Sequence, residues 1–499
     1  MSAQPELVEN DFFQSEVSRL SRHAFDTYFQ DREDPIEAVL SDEEIQNIKR
    51  SAGTWVAEQE LISANGYDKE GYLAIDEPAV TERFDKLAGY LQETFGDKIN
   101  PRDLERTDKF LRSTFAMYND VPADPNQMQD DADGSFAFVV PARMSRKNTE
   151  YGQEVEEVIP IMKYVPREQR AALMIGLPPF VIDRYKVDET GKRGYLIFAP
   201  IYPDMQDDMG LTLDTLLVAQ EKVDQAVNFA YQRLGTRIVG LGATIPAVTK
   251  YGQSIKNPNV ITTTGHAGTV QIILETLKRA ENEGRVANHE QRRKIGVLGL
   301  GAIGASIAAM MHSEYPDAEL HIFDEREGLM AKIAEKTGAT MAGSALELLG
   351  KSNVTVSAIT GKIDLEGAGL PIGALEGKMI IDDSQPASFV PEQVNALGGE
   401  VCWVVGRDGD HVARTSYDYG GTLADDTKDL FGCEAEVACL SAEFQRLVAT
   451  GFSENDALDA IRGIAINKAV SPESVAPIAR LFMRFGVTAA PLQAFGKPL

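Results

Sequence analysis

The stretch from Lys294 to Asp324 narrows the fold more than any other part of the chain. It reads Lys294-Ile-Gly-Val-Leu-Gly-Leu-Gly-Ala-Ile-Gly304, continues through a helical face carrying Ile307, Ala308 and Met311, and closes on Glu319-Leu-His-Ile-Phe-Asp324. Strand, glycine triplet, helix, second strand and terminal acid follow in the order of a βαβ unit that holds a dinucleotide. Gly299 allows the tight turn, Gly301 lets the backbone approach a pyrophosphate at a helix N-terminus, and Gly304 lets helix and strand close up. Ala302 and Ile303 lie within the triplet. Asp324 follows Gly304 by about 20 positions, where a carboxylate can accept from a ribose 2′-hydroxyl.

The flanking pattern extends the unit. Apolar runs at 295–299, 320–324, 354–359, 379–382 and 401–405 alternate with helical segments, as in a doubly wound sheet. Ile359 and Thr360, at the end of the third run, join the cofactor-binding candidates. Upstream, 135–141 and 236–241 read as strands, 185–187 and 194–199 as a hairpin, 211–234 as an amphipathic helix, and 260–264 as a strand meeting a helix over 265–280. Downstream, 426–450 reads as a long helix with two shorter ones after it. The predicted architecture is α/β: a doubly wound Rossmann domain at 286–420, a smaller α/β substrate domain at 135–285, C-terminal helices at 421–499, and an acidic, mainly helical extension at 1–134. Segments 42–61 and 81–95 carry its helical periodicity, and the Pro-, Asp- and Gly-rich run 120–134 reads as a linker.

The net charge of −27, concentrated in the first 134 residues, argues against nucleic acid as a partner. No apolar run is long enough to span a membrane, and the N-terminus lacks the regions of a signal peptide. Three cysteines, Cys402, Cys433 and Cys439, with no Cys-x-x-Cys pair, fit a reducing cytoplasm.

A dinucleotide fold does not name a reaction, so a second chemical group is required. None of the six histidines stands at zinc-ligand spacing, which leaves no metal site to propose. His266, at a helix start after the run Thr262-Thr263-Thr264-Gly265, is open to a ligand-facing or a capping role. Cys433 falls in the first turns of the long helix, where the dipole favours thiolate. Glu434 and Glu436 oppose that if they face the same way. Local sequence alone also suits a buried inert cysteine there.

The ordered set Phe136-Ala-Phe-Val-Val-Pro141, Lys186-Val-Asp-Glu-Thr-Gly-Lys-Arg-Gly194, Gly240-Leu-Gly-Ala243, Thr263-Thr-Gly-His-Ala-Gly-Thr269, Asp382-x-x-x-Pro386, Phe431-Gly-Cys-Glu-Ala-Glu436 and Arg484-Phe-Gly-Val-Thr-Ala-Ala-Pro-Leu492 resembles the cyanobacterial long-chain acyl-acyl carrier protein reductases, which make fatty aldehydes. The resemblance runs from Phe136 to the C-terminus. It implies that Cys433 is the nucleophile accepting an acyl group from a carrier-protein or coenzyme A thioester of a long-chain fatty acid. It also implies NADPH or NADH as reductant, and places Glu436, counted with Cys433 and His266 among the catalytic candidates, at a family glutamate. Thr263, Thr264, Gly265 and His266 would line the acyl site, with the threonines or His266 as oxyanion donors.

Three features depart from that family. Asp324 and Glu325 would repel a 2′-phosphate and favour NADH, although Arg326 could turn toward one. His266 replaces the usual Asn. Residues 1–134 have no counterpart in the short cyanobacterial proteins; guiding a carrier, shaping a homo-oligomer or covering the pocket are the roles open to them. The competing expectation is an amino-acid or hydroxy-acid dehydrogenase on the same fold, using Lys250 or His266 without a thiol.

Overall fold

The structure is a computed structural model that describes residues 85, 88–89, 92–93, 99–119, 135–141, 159–164, 177–185, 193–201, 213–286, 293–359, 361–384, 387–408, 429–466, 470–494 and 497–499. The predicted helix over 42–61, the linker 120–134 and the tip of the hairpin lie outside these residues. Of the predicted helix over 81–95, residues 85, 88–89 and 92–93 are described and helical.

The first sheet has five strands in the order β2-β3-β1-β4-β5: β1 (Ser135–Val140), β2 (Phe180–Tyr185), β3 (Arg193–Phe198), β4 (Ile238–Leu241) and β5 (Ile261–Thr263). β1 pairs parallel with β3 and β4, and β5 parallel with β4; β2 is the antiparallel edge. The hairpin is present, but its first strand lies at 180–185 rather than 185–187. A register shift between Val181 and Asp183 breaks the alternation that would have marked it. Helix α1 (Pro101–Asn119) lies against the edge strand, with Phe110 packing edge-on to Phe180 at 4.8 Å. Helix α2 (Leu213–Leu234) packs Val223, Ala226, Val227 and Ala230 into a core with Ala137, Val139 and Val239 from the sheet.

The second sheet has six parallel strands in the order β11-β10-β9-β6-β7-β8: β6 (Lys294–Leu298), β7 (Glu319–Phe323), β8 (Thr340–Met341), β9 (Val354–Ser357), β10 (Met379–Asp382) and β11 (Glu400–Trp403). This is the doubly wound Rossmann order, with its topological switch between β6 and β9. The periodicity reading found five of these strands; β8 is only two residues long. Buried runs such as Ile295, Val297, Val354, Val356, Met379 and Ile381 are what a sheet covered on both faces requires.

Helix α3 (His266–Asn282) links the two sheets. Helices α4 (Ala302–Glu314), α5 (Glu327–Thr337), α6 (Ala345–Lys351) and α7 (Pro391–Ala396) connect strands of the second. The C-terminal segment belongs to both sheets. A short antiparallel sheet pairs β12 (Gly406–Asp408) with β13 (Asp429–Leu430) and with β14 (Val487–Ala489). Helix α8 (Gly432–Ala449) then lies across α3, β1 and β4. It starts at Gly432, not at 426, because β13 takes the residues before it. Two further helices, at Glu454–Arg462 and Pro472–Phe485, close the segment. Among the described residues no helix is long and apolar enough to cross a membrane.

Candidate functional site

The crevice begins where β6 ends. Gly299 has φ +84°, and a β-carbon there would lie 2.6 Å from the Ala358 carbonyl oxygen. A β-carbon on Gly304 would fall on the Gly299 carbonyl oxygen. These contacts press helix α4 against its strand. A β-carbon on Gly301 would instead meet nothing within 4 Å, and Gly301 caps α4 without any side-chain bond. The first N–H groups of the helix, with half-buried Ala302 and Ile303, therefore face open space at its positive end. That is the cradle a pyrophosphate requires, and the residues fit a dinucleotide. Ile359 is half-buried beside Gly299, its methyl 2.5 Å from that same absent β-carbon. Thr360 lies outside the described residues.

Asp324 stands just beyond β7, as the motif predicts, but its carboxylate is engaged. Oδ1 accepts from Arg326 N at 2.9 Å and Nε at 2.8 Å; Oδ2 accepts from Leu300 N at 2.7 Å and Arg326 Nη2 at 2.9 Å. Burial pushes this acid up, but the bonds from Arg326 and Leu300 outweigh it and hold it at about 2. Four donors occupy the roughly four lone-pair positions of a carboxylate. The charge argument for NADH assumed a free Asp324. Here the acid is neutralised by a guanidinium that remains 63% exposed, so Arg326 must swing away before Asp324 can read a ribose.

The second part of the site is built where two helix N-termini meet. Gly265 caps α3 with φ +69°, and a β-carbon on it would fall on the Cβ of Cys433. A β-carbon on Gly432 would lie 2.6 Å from Thr269 Cα, so the first turns of α3 and α8 touch backbone to backbone. Cys433 is the second residue of α8, reduced and half-buried. The N-termini of two helices meet beside it.

The two carboxylates that follow Cys433 are both engaged by backbone donors. Glu434 accepts from Phe431 N at 3.1 Å and closes the cap of its own helix. Glu436 is 0% exposed; it accepts from Thr263 Oγ1 and from Gly268 N at 2.7 Å, clamping the loop of α3 onto α8. Burial pushes it up to about 7, against the lowering effect of those bonds.

The two threonines expected at the acyl site, Thr263 and Thr264, bond to protein groups here. Both are buried. The Thr263 hydroxyl donates to Glu436 and accepts from Ile466 N at 3.1 Å, while Thr264 N donates to Ile466 O at 2.8 Å. Of the donors predicted on this loop, His266 is left. It is half-buried, its ring stands edge-on to Tyr251 at 6.1 Å, and burial pushes it down to about 4, so it is neutral near pH 7. Its Nδ1 meets no hydrogen-bond partner among the described residues.

Two ties connect thiol and crevice. Phe431, two residues before Cys433, packs edge-on to Trp403 at 5.3 Å, and Trp403 Nε1 donates to Ser384 O at 3.4 Å, just beyond β10. On the other side Ile466 binds the threonine loop, and Val470 O accepts from Ser306 Oγ of α4 at 3.0 Å. Four residues of chain span at most about 14 Å, so the thiol's loop and the glycine-loop helix are held at close range.

Sequence reading also passed over Asp383. Asp382 is fully buried and caps the following loop, accepting from Ser384 N, Ser388 N and Phe389 N at 3.0, 2.8 and 3.3 Å. Its neighbour makes no such bonds among the described residues. Among the described residues no group of three or more His, Cys, Asp or Glu side chains could hold a metal ion.

No family model matches the chain, and no curated protein does. Solved structures similar to part of it include an imine reductase from Pseudomonas sp., at 18% identity over 23% of this chain and 41% of that one, TM-score 0.20. A reductive aminase from Aspergillus terreus in complex with NADPH and ethyl-5-oxohexanoate matches at 18% identity over 23% and 41%, TM-score 0.19. One component of the dipicolinate synthase from Bacillus halodurans matches at 17% identity over 36% and 60%, TM-score 0.24. The chain thus spans about two fifths of the length of the reductases it matches, and three fifths of the synthase component. The fold assignment rests on the strand order of the second sheet.

Proposed function

We propose that the chain is an NAD(P)H-dependent reductase that converts a long-chain fatty acyl thioester, of acyl carrier protein or coenzyme A, to the aldehyde through an acyl group carried on Cys433. The observation that carries this reading is the thiol at the meeting point of two helix N-termini, tied through Phe431, Trp403 and Ser384 to the carboxyl edge of the dinucleotide sheet.

The backbone of Gly299, Gly301, Ala302, Ile303 and Gly304 would hold the pyrophosphate, with Asp324 and Arg326 at the adenosine ribose. When bound, the reduced nicotinamide supplies a hydride to the acyl carbon. The chain's own residues do the rest. Cys433 attacks the thioester carbonyl as thiolate; the bond to the carrier sulfur breaks, and that sulfur leaves with the proton the thiol gave up. Covalent attachment holds the acyl carbon in place, worth up to about 10 kcal/mol of positioning in favourable cases. Neutral His266 offers one N–H to the carbonyl oxygen as charge develops there. After reduction the carbon–sulfur bond breaks, the aldehyde leaves, and Cys433 departs as a thiolate. Acyl carrier protein and coenzyme A present the same phosphopantetheine thioester, so the chemistry at Cys433 is common to both.

Intact-mass measurement after incubation with long-chain acyl-CoA, without reductant, tests the covalent step. An acyl adduct on the parent and none on Cys433→Ala is expected. A Cys433→Ala protein that still oxidises NAD(P)H with the thioester at the parent rate would end the proposal.

A further inference from the structure

Asp383 follows β10, and its backbone continues the ladder: its N–H donates to Ser357 O at 2.9 Å, and Val404 N donates to Asp382 O at 3.0 Å. Alternation along the strand therefore fixes its face. Ile380 packs in the core that includes Phe389, and Asp382 binds the Phe389 amide, so these two share one face. Met379 and Ile381 belong to the core against which Cys433 packs. Asp383 follows Ile381 on that side, at the carboxyl edge of the sheet.

The position along the crevice is equally constrained. Asp324 and Arg326 mark the adenosine ribose on the β7 side of the glycine loop. A dinucleotide lying across the switch point between β6 and β9 then places its other half over β9 and β10. Asp383 is half-buried there, and among the described residues no donor or cation meets its carboxyl. Burial, together with the adjoining Asp382, holds it well above the usual carboxylate range. A neutral carboxyl carries one O–H donor and one carbonyl acceptor side by side. A carboxylic acid kept neutral by its site is an established way to donate a hydrogen bond where a carboxylate could not.

The nicotinamide carboxamide presents the complementary pair, an amide N–H₂ and a carbonyl oxygen. We propose that Asp383 binds the nicotinamide carboxamide through a paired hydrogen bond and so fixes the orientation of the ring relative to Cys433. This rests on the dinucleotide reading of the crevice and is independent of which thioester is reduced.

The test is a binding comparison with no turnover. NADH and NADPH are titrated by nicotinamide fluorescence, and ADP-ribose or its 2′-phosphate, which lack the nicotinamide, by calorimetry. Asp383→Ala should weaken NAD(P)H binding about tenfold or more while leaving the ADP-ribose ligand within twofold of the parent. Asp383→Asn, whose amide also pairs with a carboxamide, should restore most of the loss. Unchanged ADP-ribose binding shows that each variant is folded. Parent-like NAD(P)H affinity in Asp383→Ala, or equal losses for both ligands, overturns the proposal. A parent protein that binds neither ligand overturns the dinucleotide reading beneath it, and is a distinct result.

Discussion

The Glu436 clamp makes the sharpest stability prediction. Its carboxyl is fully buried, and burial raises it from an ordinary 4.5 to about 7. An acid raised in the folded state stabilises the fold fully below its unfolded pKa, and that contribution is lost as pH rises through the folded value. One pKa unit is worth about 1.4 kcal/mol. Between about pH 5 and pH 8 the unfolded glutamate is mostly ionised while the folded one resists, so this group costs the fold roughly 2–3 kcal/mol across that interval. For a domain of 150–250 residues this corresponds to roughly 5–10 °C in Tm. Glu436→Gln removes the titration and keeps both contacts: the amide oxygen accepts from Gly268 N, and the amide N–H₂ donates to the Thr263 hydroxyl, which rotates. The expected result, by scanning calorimetry across that range, is a Tm that falls less with pH in the variant than in the parent. Asp382, raised to about 6 by burial, acts in the same direction, and His266, lowered to about 4, in the opposite one. Both are common to the two proteins and drop out of the difference. Parallel Tm profiles would refute the reasoning, because a buried glutamate that titrates must leave that difference.

Two substitutions test other parts of the site. Arg326→Ala releases the Asp324 carboxylate, so the ratio of NADH to NADPH affinity, measured by fluorescence titration, should rise about tenfold if that acid reads the ribose; an unchanged ratio would remove Asp324 from cofactor choice. Gly265→Ala meets both a positive φ and the Cβ of Cys433. It should lower Tm by several degrees and slow alkylation of Cys433, whereas Gly284→Ala, with φ +71° but open space around it, carries only the backbone cost of about 1–2 kcal/mol. Equal losses in the two variants would show that the contact with α8 contributes nothing.

The parts legible in the sequence were those written in local periodicity. Five of the six strands of the second sheet, the glycine turn and the acid after β7 follow from apolar runs and spacing within a single βαβ unit. What was not legible depends on partners far along the chain. Glu436 reads as an ordinary helix glutamate, and its role comes from Thr263 and Gly268, more than 160 residues earlier. The predicted helix start at 426 ran through β13 because a strand of two residues leaves no periodic signal. Asp383 lay one position past a strand that was read as ending at Asp382. Its environment is set by burial and by Asp382, and only the folded chain shows that the two neighbouring acids point to opposite faces. Thr263 and Thr264 enter as acyl-site donors through the family resemblance, which says nothing of their partners along this chain. Ile466, 203 residues beyond Thr263, donates its N–H to the Thr263 hydroxyl, which itself donates to Glu436.

The placement of the thiol has a mechanical consequence. Cys433 is not carried by the sheet that holds the dinucleotide. It rides on α8, which follows β13 of the short antiparallel sheet and packs across α3 and across β1 and β4 of the first sheet. The separation between thiol and crevice is therefore set by how the two sheets are joined, and two ties join them near the site: Phe431 on Trp403, and the run that binds the threonine loop through Ile466 and Ser306 through Val470. The second tie works through two contacts in series. Loosening one tie leaves the other to hold the approach. A reaction that must hold an acyl carbon to within about half an ångström of its working position is better served by two short ties around the thiol than by one larger interface farther away.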